Sequence, residues 1–438
     1  MARVAILGGG LAGLAAASAL GSSGYDVDLY ESRAFLGGRA TSWPVGAGDE
    51  AEMVDNCQHV LLRCCVNLLD LYGRLGVGDK VRFHKEFCFI EPGGRRSYMK
   101  RGMLPAPAHF AGSFLTLKYL GFKDKLCIAR AMNAIPRELR KRRDLDQISM
   151  LDWLREHRQT ERAIERYWRQ VLVSAINEEL DRMAASHGFQ VFWLGMIARA
   201  DSYEMGVPDV PLRELYDEHG LPKSVTIHER AAVTAIDCAD GAVDAVVAGG
   251  ERRVADYYLS CLPFERLRPL LPDLPVEWDA FGHSPITGIH LWFDRPITDL
   301  PHATLLDRTI QWFFNKSEGR YVQLVVSASR SLTEMSRNEI IELAVRELGE
   351  FFPAAREATL VKAQVIKEVR ATFSAAPGLE ARRPRAVTPL RNFFLAGDWT
   401  RSGWPATMEG AVRSGYLGAE AVTTAAGDAR SFLLPDVA

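Results

Sequence analysis

VAILGGGLAGLAAASALGSSGYDVDLYESRAFLGGRAT, residues 4–41, decides how this chain begins to fold. Val4 to Leu7 are apolar and bounded by glycine, the pattern of a buried parallel strand. Gly8, Gly10 and Gly13 then form G-x-G-x-x-G, and Leu11 to Leu20 is rich in Ala and Leu, which predicts a helix packed on a sheet. In such a unit the first glycine permits the tight turn and the second lets a pyrophosphate approach the backbone. The third lets helix and strand close up. The helix start, with Leu11 and Ala12, offers unpaired N–H groups and a partial positive charge to phosphates. Asp26 to Tyr30 reads as the second strand. Glu31, with Ser32 beside it, follows 18 residues after Gly13, where an acid binds both ribose hydroxyls. An acid there disfavours a 2′-phosphate. The stretch predicts a dinucleotide-binding βαβ unit, against the plainer reading of a structural βαβ unit without a ligand.

Gly37-Gly38-Arg39-Ala40-Thr41 follows. Two glycines let a loop lie against a ligand, and Arg39 adds a fixed cation. With this loop the chain resembles the flavin amine oxidase and phytoene desaturase superfamily, in which the loop, here including Gly38, Arg39 and Ala40, covers the pyrophosphate of FAD. A second match lies near the C-terminus, where Asn392–Ala396 reads as a strand and GDWTRSGWPATMEGAVRSG leads from Gly397 into a helix over Met408–Val422. The resemblance implies that Asp398 binds the phosphate–ribityl region. It also implies that the backbone at Met408, Glu409 and Ala411 faces the flavin ring edge, where a helix dipole stabilises negative charge. Val233, in the predicted strand Ala231–Ile236, is implied to contact adenine through its backbone, although those residues alone read as an ordinary meander. FAD is therefore the expected cofactor. The last of seven cysteines is Cys261, so no thiol lies near the C-terminal motif and the FAD is expected to be non-covalent.

With 438 residues, 47% hydrophobic and 25% charged, the chain suits two or three domains. The expected class is α/β. A discontinuous Rossmann-like FAD-binding domain takes 1–75, 215–265 and 386–424. A sheet-and-helix substrate domain takes 76–99 and 266–385, a helical, membrane-facing insertion takes 100–214, and 425–438 reads as a disordered tail. No run reaches about 18 uncharged apolar residues, so no transmembrane helix is predicted. The first apolar run is a strand rather than a secretory signal. Scattered cysteines without metal spacing suit a reducing cytosol.

Net charge is −2, but Arg95 to Arg143 holds 13 Lys/Arg against Asp124 and Glu138. These cations flank the apolar runs Met103–Leu117 and Leu126–Ile135. Apolar surface beside a basic cluster suits anionic headgroups, and the abundant Leu, Phe and Ala argue against nucleic acid. A helix with a solvated basic face is the plainer reading. The expected location is cytoplasmic and peripheral to a membrane.

Within the superfamily, Trp404 matches the tryptophan of the amine oxidases' aromatic cage, but Thr407 stands where their tyrosine would, which disfavours amine oxidation. Three stretches resemble one branch: Val54–Arg63 with Leu68–Gly76, Tyr167-Trp168 with Ala175–Asn177, and Val207–Leu212. That branch is the squalene-associated FAD-dependent desaturases, or hydroxysqualene dehydroxylases. Glu178-Glu179 after Asn177 departs from its pattern. The branch implies reduction of hydroxysqualene to squalene, with a long polyisoprenoid substrate and an external electron donor. Such a reaction needs an acid, an apolar tunnel and exclusion of water. His59 is the first candidate for the acid, or else it holds the Asp55–Leu62 turn, in which Asp55 reads as an anchor. Asn177 either orients a hydroxyl or caps a helix, and Trp404 either walls the flavin ring or packs the core. The alternatives are a carotenoid-type desaturase or isomerase and a non-redox prenyl-lipid carrier.

Overall fold

The computed structural model describes residues 2–46, 51–216 and 220–437. Six helices position the site: α1 (Leu11–Ser22), α2 (Val66–Arg74), α3 (Phe122–Lys141), α4 (Arg169–Ile176), α5 (Arg337–Phe351) and α6 (Met408–Ala425). The first strand, β1 (Arg3–Leu7), pairs in parallel with β2 (Asp26–Tyr30) on one side and with Tyr257–Ser260 on the other. Val225–His228 and Phe393–Leu395 complete a five-stranded parallel sheet.

Period-2 alternation along β1 divides its side chains between two cores. Val4 and Ile6 pack with α1 and α6, while Ala5 and Leu7 pack with Val243, Val246 and Ala248 of an antiparallel meander. Burial on both faces explains the unbroken apolar run. From Leu11 to Gly21 every residue of α1 is buried. That is why its sequence shows no amphipathic stripe.

The second sheet has seven strands in the order Leu360–Phe373, His283–Phe293, Tyr321–Ser327, Trp312–Ser317, His302–Leu305, Glu86–Ile90, Arg96–Lys100. One face packs on α5, whose Ile340, Ala344 and Leu348 recur every four residues and meet Ile289, Leu291 and Leu324. Ser336 and Glu339 start α5 with a reciprocal capping box. The other face looks onto the cavity described below.

Two features were not anticipated. Met205–Pro208 is a strand, joining Leu61–Leu62 to Val81–His84 in a small antiparallel sheet. The C-terminal segment, which reads as a disordered tail, is anchored along its length. Leu434 donates its N–H to Asn67 Oδ1 at 2.8 Å, Phe432 and Leu433 donate theirs to Glu420, and Asp436 pairs with Arg413 at 3.0 Å. These are bonds to backbone groups and one ion pair, which hydrophobic periodicity does not report.

Candidate functional site

One cavity of about 880 Å³ is lined from both sheets. At one end it meets Gly8, Gly10, Leu11 and Ala12, then Glu31, Ser32, Gly38, Arg39, Ala40 and Val233. Gly10 begins α1 without any side-chain cap, which leaves first-turn N–H groups free for a ligand. Gly37 donates its N–H to Gly9 O at 2.9 Å, pinning the second glycine loop on the first. Gly13 is not part of the lining. A Cβ there would stand 2.0 Å from Gly8 O, so its role is the close approach of helix and strand.

Glu31 is buried, and its carboxylate accepts from Gly9 N, Ser32 Oγ and Arg33 N, each at 2.9 Å. Three donors therefore fix the acid at the cavity edge. Arg39 pairs with Asp398, tying the N-terminal loop to the C-terminal motif. Gly397, Asp398, Met408, Glu409 and Ala411 all line the same cavity.

Thr407 caps α6, its Oγ1 accepting from Gly410 N at 3.0 Å. A residue at the cage-tyrosine position thus serves the helix start, and the amides before Gly410 remain free. The Glu409 carboxylate is committed elsewhere. It accepts from Asn67 N, Asn67 Nδ2 and Leu68 N at 3.2, 2.8 and 2.7 Å, capping α2. Burial pushes its pKa up against the pull of those donors. The uncapped start of α1, the free amides at the start of α6, a fixed acid and closely apposed backbone loops fit the phosphates and ribose of FAD, which the residues of both motifs would hold.

The three candidate catalytic residues also line this cavity. His59 Nδ1 lies 2.9 Å from Cys57 O, so it carries the proton and donates. Burial lowers the imidazole pKa, against the opposing influence of the Cys57 carbonyl, Asp55 and Glu368. A neutral ring with Nε2 as acceptor follows, which suits taking a proton rather than storing one. Asp55 anchors the turn: it accepts from Ser42 Oγ at 2.8 Å and Leu212 N at 2.9 Å.

Asn177 ends α4 in the left-handed conformation, with φ 60°. Its amide donates to Ser284 O and Thr372 Oγ1, and its Oδ1 accepts from Ala328 N. That capacity ties α4 to the second sheet rather than orienting a hydroxyl. Glu178 turns away from the cavity into a bidentate pair with Arg330 at 2.6 and 2.7 Å. Trp404 packs with Cys64 and Leu194 and donates Nε1 to Asp436 at 3.2 Å.

Other lining residues were not found from sequence. Phe87, Phe89, Met99, Thr304, Trp312 and Phe314 come from the second sheet, with Gln170 and Ser174 from α4. Glu86–Ile90 and Trp312–Phe314 are short apolar runs, and their destination is set by pairing across the sheet with His302–Leu305. Trp312 Nε1 donates to Ser174 Oγ at 2.6 Å. Gln170 Oε1 and Thr304 Oγ1 are buried without a partner. Arg383, also buried, fastens the C-terminal motif by donating to the carbonyls of Asp398, Thr400 and Trp404. A lone arginine outside every motif carries no sequence signal for that role.

The fold is shared with solved oxidoreductases. An oxidoreductase from Methanosarcina mazei superposes with a TM-score of 0.72 at 16% identity, covering 94% of this chain and 98% of that one. Putrescine oxidase bound to putrescine gives 0.70 at 16%, covering 97% and 98%. Among curated proteins, a probable zeta-carotene desaturase of Synechococcus elongatus is 28% identical over 97% of this chain and 99% of its own. The 15-cis-phytoene desaturase of the same organism is 27% identical over 96% and 95%. The model of the flavin containing amine oxidoreductases matches residues 11–423. With the two glycine loops, the fixed Glu31 and the α6 motif meeting at one cavity, the chain belongs to the flavin containing amine oxidoreductase family, and it is an FAD-dependent oxidoreductase.

Proposed function

We propose that the protein oxidises a long polyisoprenoid hydrocarbon by carotenoid-type desaturation. The observation that carries this reading is the apolar lining of the same cavity that holds His59, supplied by Phe87, Phe89, Met99, Leu194 and Phe314. Its match to carotene desaturases over almost its full length supports the same substrate class. Desaturation removes a hydride and a proton from adjacent carbons and leaves a double bond. Bound FAD supplies the reversible two-electron exchange. His59 Nε2 takes the proton, and the apolar walls receive the hydrocarbon chain and displace water from the reacting carbons. An external electron carrier completes each turnover.

A second reading, reductive dehydroxylation of hydroxysqualene, is favoured by one observation. Gln170 Oε1 and Thr304 Oγ1 are unpartnered polar atoms on an apolar wall, where an oxygen-bearing substrate would satisfy them. That reaction runs in the opposite redox direction: a hydride enters and the hydroxyl leaves as water after protonation.

Anaerobic flavin absorbance separates the two. Bleaching of the oxidised holoenzyme by phytoene or zeta-carotene, with a longer polyene as product, supports desaturation. Inertness to those polyenes, with reoxidation of the reduced protein by hydroxysqualene and release of squalene, transfers the assignment to the second reading. Inertness to all of them overturns both. Under desaturation, His59→Gln retains flavin and slows bleaching by about 100-fold or more.

A further inference from the structure

We propose that residues 99–130 form a tip that docks on an anionic lipid leaflet over the substrate end of the cavity. The tip is one structural unit. Ser113 Oγ donates to Lys100 O at 2.7 Å, Gly102 N donates to His109 O at 2.6 Å, and Lys125 Nζ reaches Leu115 O at 2.7 Å. These bonds join the end of strand Arg96–Lys100, the short helix Ala111–Leu115 and the start of α3.

Its outer surface is unusual for a protein facing water. Met103 is fully exposed, Phe122 is 81% exposed and Leu115 65%, with Leu104 and Leu126 exposed beside them. Scattered apolar side chains are ordinary, but a contiguous cluster marks an interaction site. Around the cluster stand the exposed cations Lys100, Arg101, Lys118, Lys123 and Arg130. On α3, Phe122, Leu126, Ala129 and Asn133 fall on one outward stripe, flanked by Lys123, Arg130 and Arg137. Apolar side chains ringed by Lys and Arg match a headgroup layer of negative charge over an acyl core. Among the described residues no helix is long and apolar enough to cross a membrane, so the contact is with one leaflet.

The inner surface of the tip gives the position its meaning. Met99, adjoining Lys100, lines the cavity. Tyr119 packs on Phe89 with ring centroids 5.2 Å apart, and Phe110 packs on Tyr203, which meets Phe87. Phe87 and Phe89 are cavity walls. The lipid-facing tip and the apolar end of the cavity are thus two sides of one layer of aromatic side chains. A substrate dissolved in acyl chains would enter there without crossing water.

The holoenzyme should cosediment with phosphatidylglycerol vesicles at low salt and not with phosphatidylcholine vesicles. The triple variant Met103→Ser/Leu115→Ser/Phe122→Ser should lose that binding while keeping flavin content and Tm, because all three side chains are exposed. Lys118→Gln, Lys123→Gln and Arg130→Gln should each weaken binding about fivefold, and 0.5 M salt should act in the same direction. Absence of vesicle binding by the wild type, or wild-type binding by the triple variant, overturns the proposal. So does a wild-type dimer that the triple variant converts to monomer without any vesicle binding, which would assign the surface to a second copy of this chain. Binding is read without substrate, so this proposal and the assigned reaction fail independently.

Discussion

The cavity meets backbone at its cofactor end and side chains at its substrate end. The cofactor end is made of turns, helix starts and one fixed acid, nearly all within 4–41 and 397–411. The substrate end draws single residues from Phe87 to Val325, with neighbours in space that are far apart in the chain. Backbone geometry tolerates few residue types, whereas an apolar wall tolerates many of similar volume. Mutations should therefore act on binding and folding at one end and on substrate handling at the other.

The largest effect is expected from Gly13→Ala. Its new Cβ has no room beside Gly8 O, so the variant should lose at least about 3 kcal/mol and retain no flavin after gel filtration. Flavin retention near wild type would break the contrast at its strongest point. Glu31→Gln removes the charge that receives Gly9 N and Arg33 N. It should weaken flavin binding by about 1.5–3 kcal/mol, roughly 10- to 150-fold, in a fluorescence titration.

The substrate sheet carries its own signature in acid. Burial holds His302 and His290 down to about 4, with His84 also lowering His302. Below the ordinary 6.5 an unfolded chain takes up protons that these rings refuse until about 4, so stability falls as pH falls through that window. His302→Gln should flatten the slope by one proton, about 1.4 kcal/mol per pH unit, in denaturant titrations between pH 6.5 and 4. An unchanged slope would place the acid sensitivity elsewhere. The smallest effect is expected from Trp312→Phe, which loses the bond to Ser174 but keeps the wall. Flavin content should be unchanged and KM should rise by less than about fivefold, or about 1 kcal/mol.

The same contrast sets what sequence can reveal. Gly8, Gly10, Gly37 and Gly38 sit in short-range patterns, and a helix beginning at Met408 is legible from its local residues. Strand and helix limits such as Asp26–Tyr30 and Tyr321–Ser327 are likewise local. Roles that span the chain are not legible. Glu409 caps a helix begun at Val66, Asn177 is consumed by Ser284, Thr372 and Ala328, and Arg383 grips three carbonyls of the C-terminal motif. Each is an ordinary polar residue until the topology brings its partners near. The anchored C-terminal segment escaped for the same reason, since Asn67 and Glu420 bind its backbone rather than any patterned side chain.

The pairing of α1 with α6 also sets when the cofactor end of the cavity can close. A Cβ at Gly415 would stand 2.2 Å from Ala12 O, so α1 rests directly on α6, which follows it about 400 residues later in the chain. At roughly 5–20 residues per second the stretch from Leu11 to Met408 takes about 20–80 s to make. Throughout that interval the opening βαβ unit waits without the helix that covers it. A cofactor site lined by both glycine loops and by Met408 to Ala411 therefore forms only after α6 has been made.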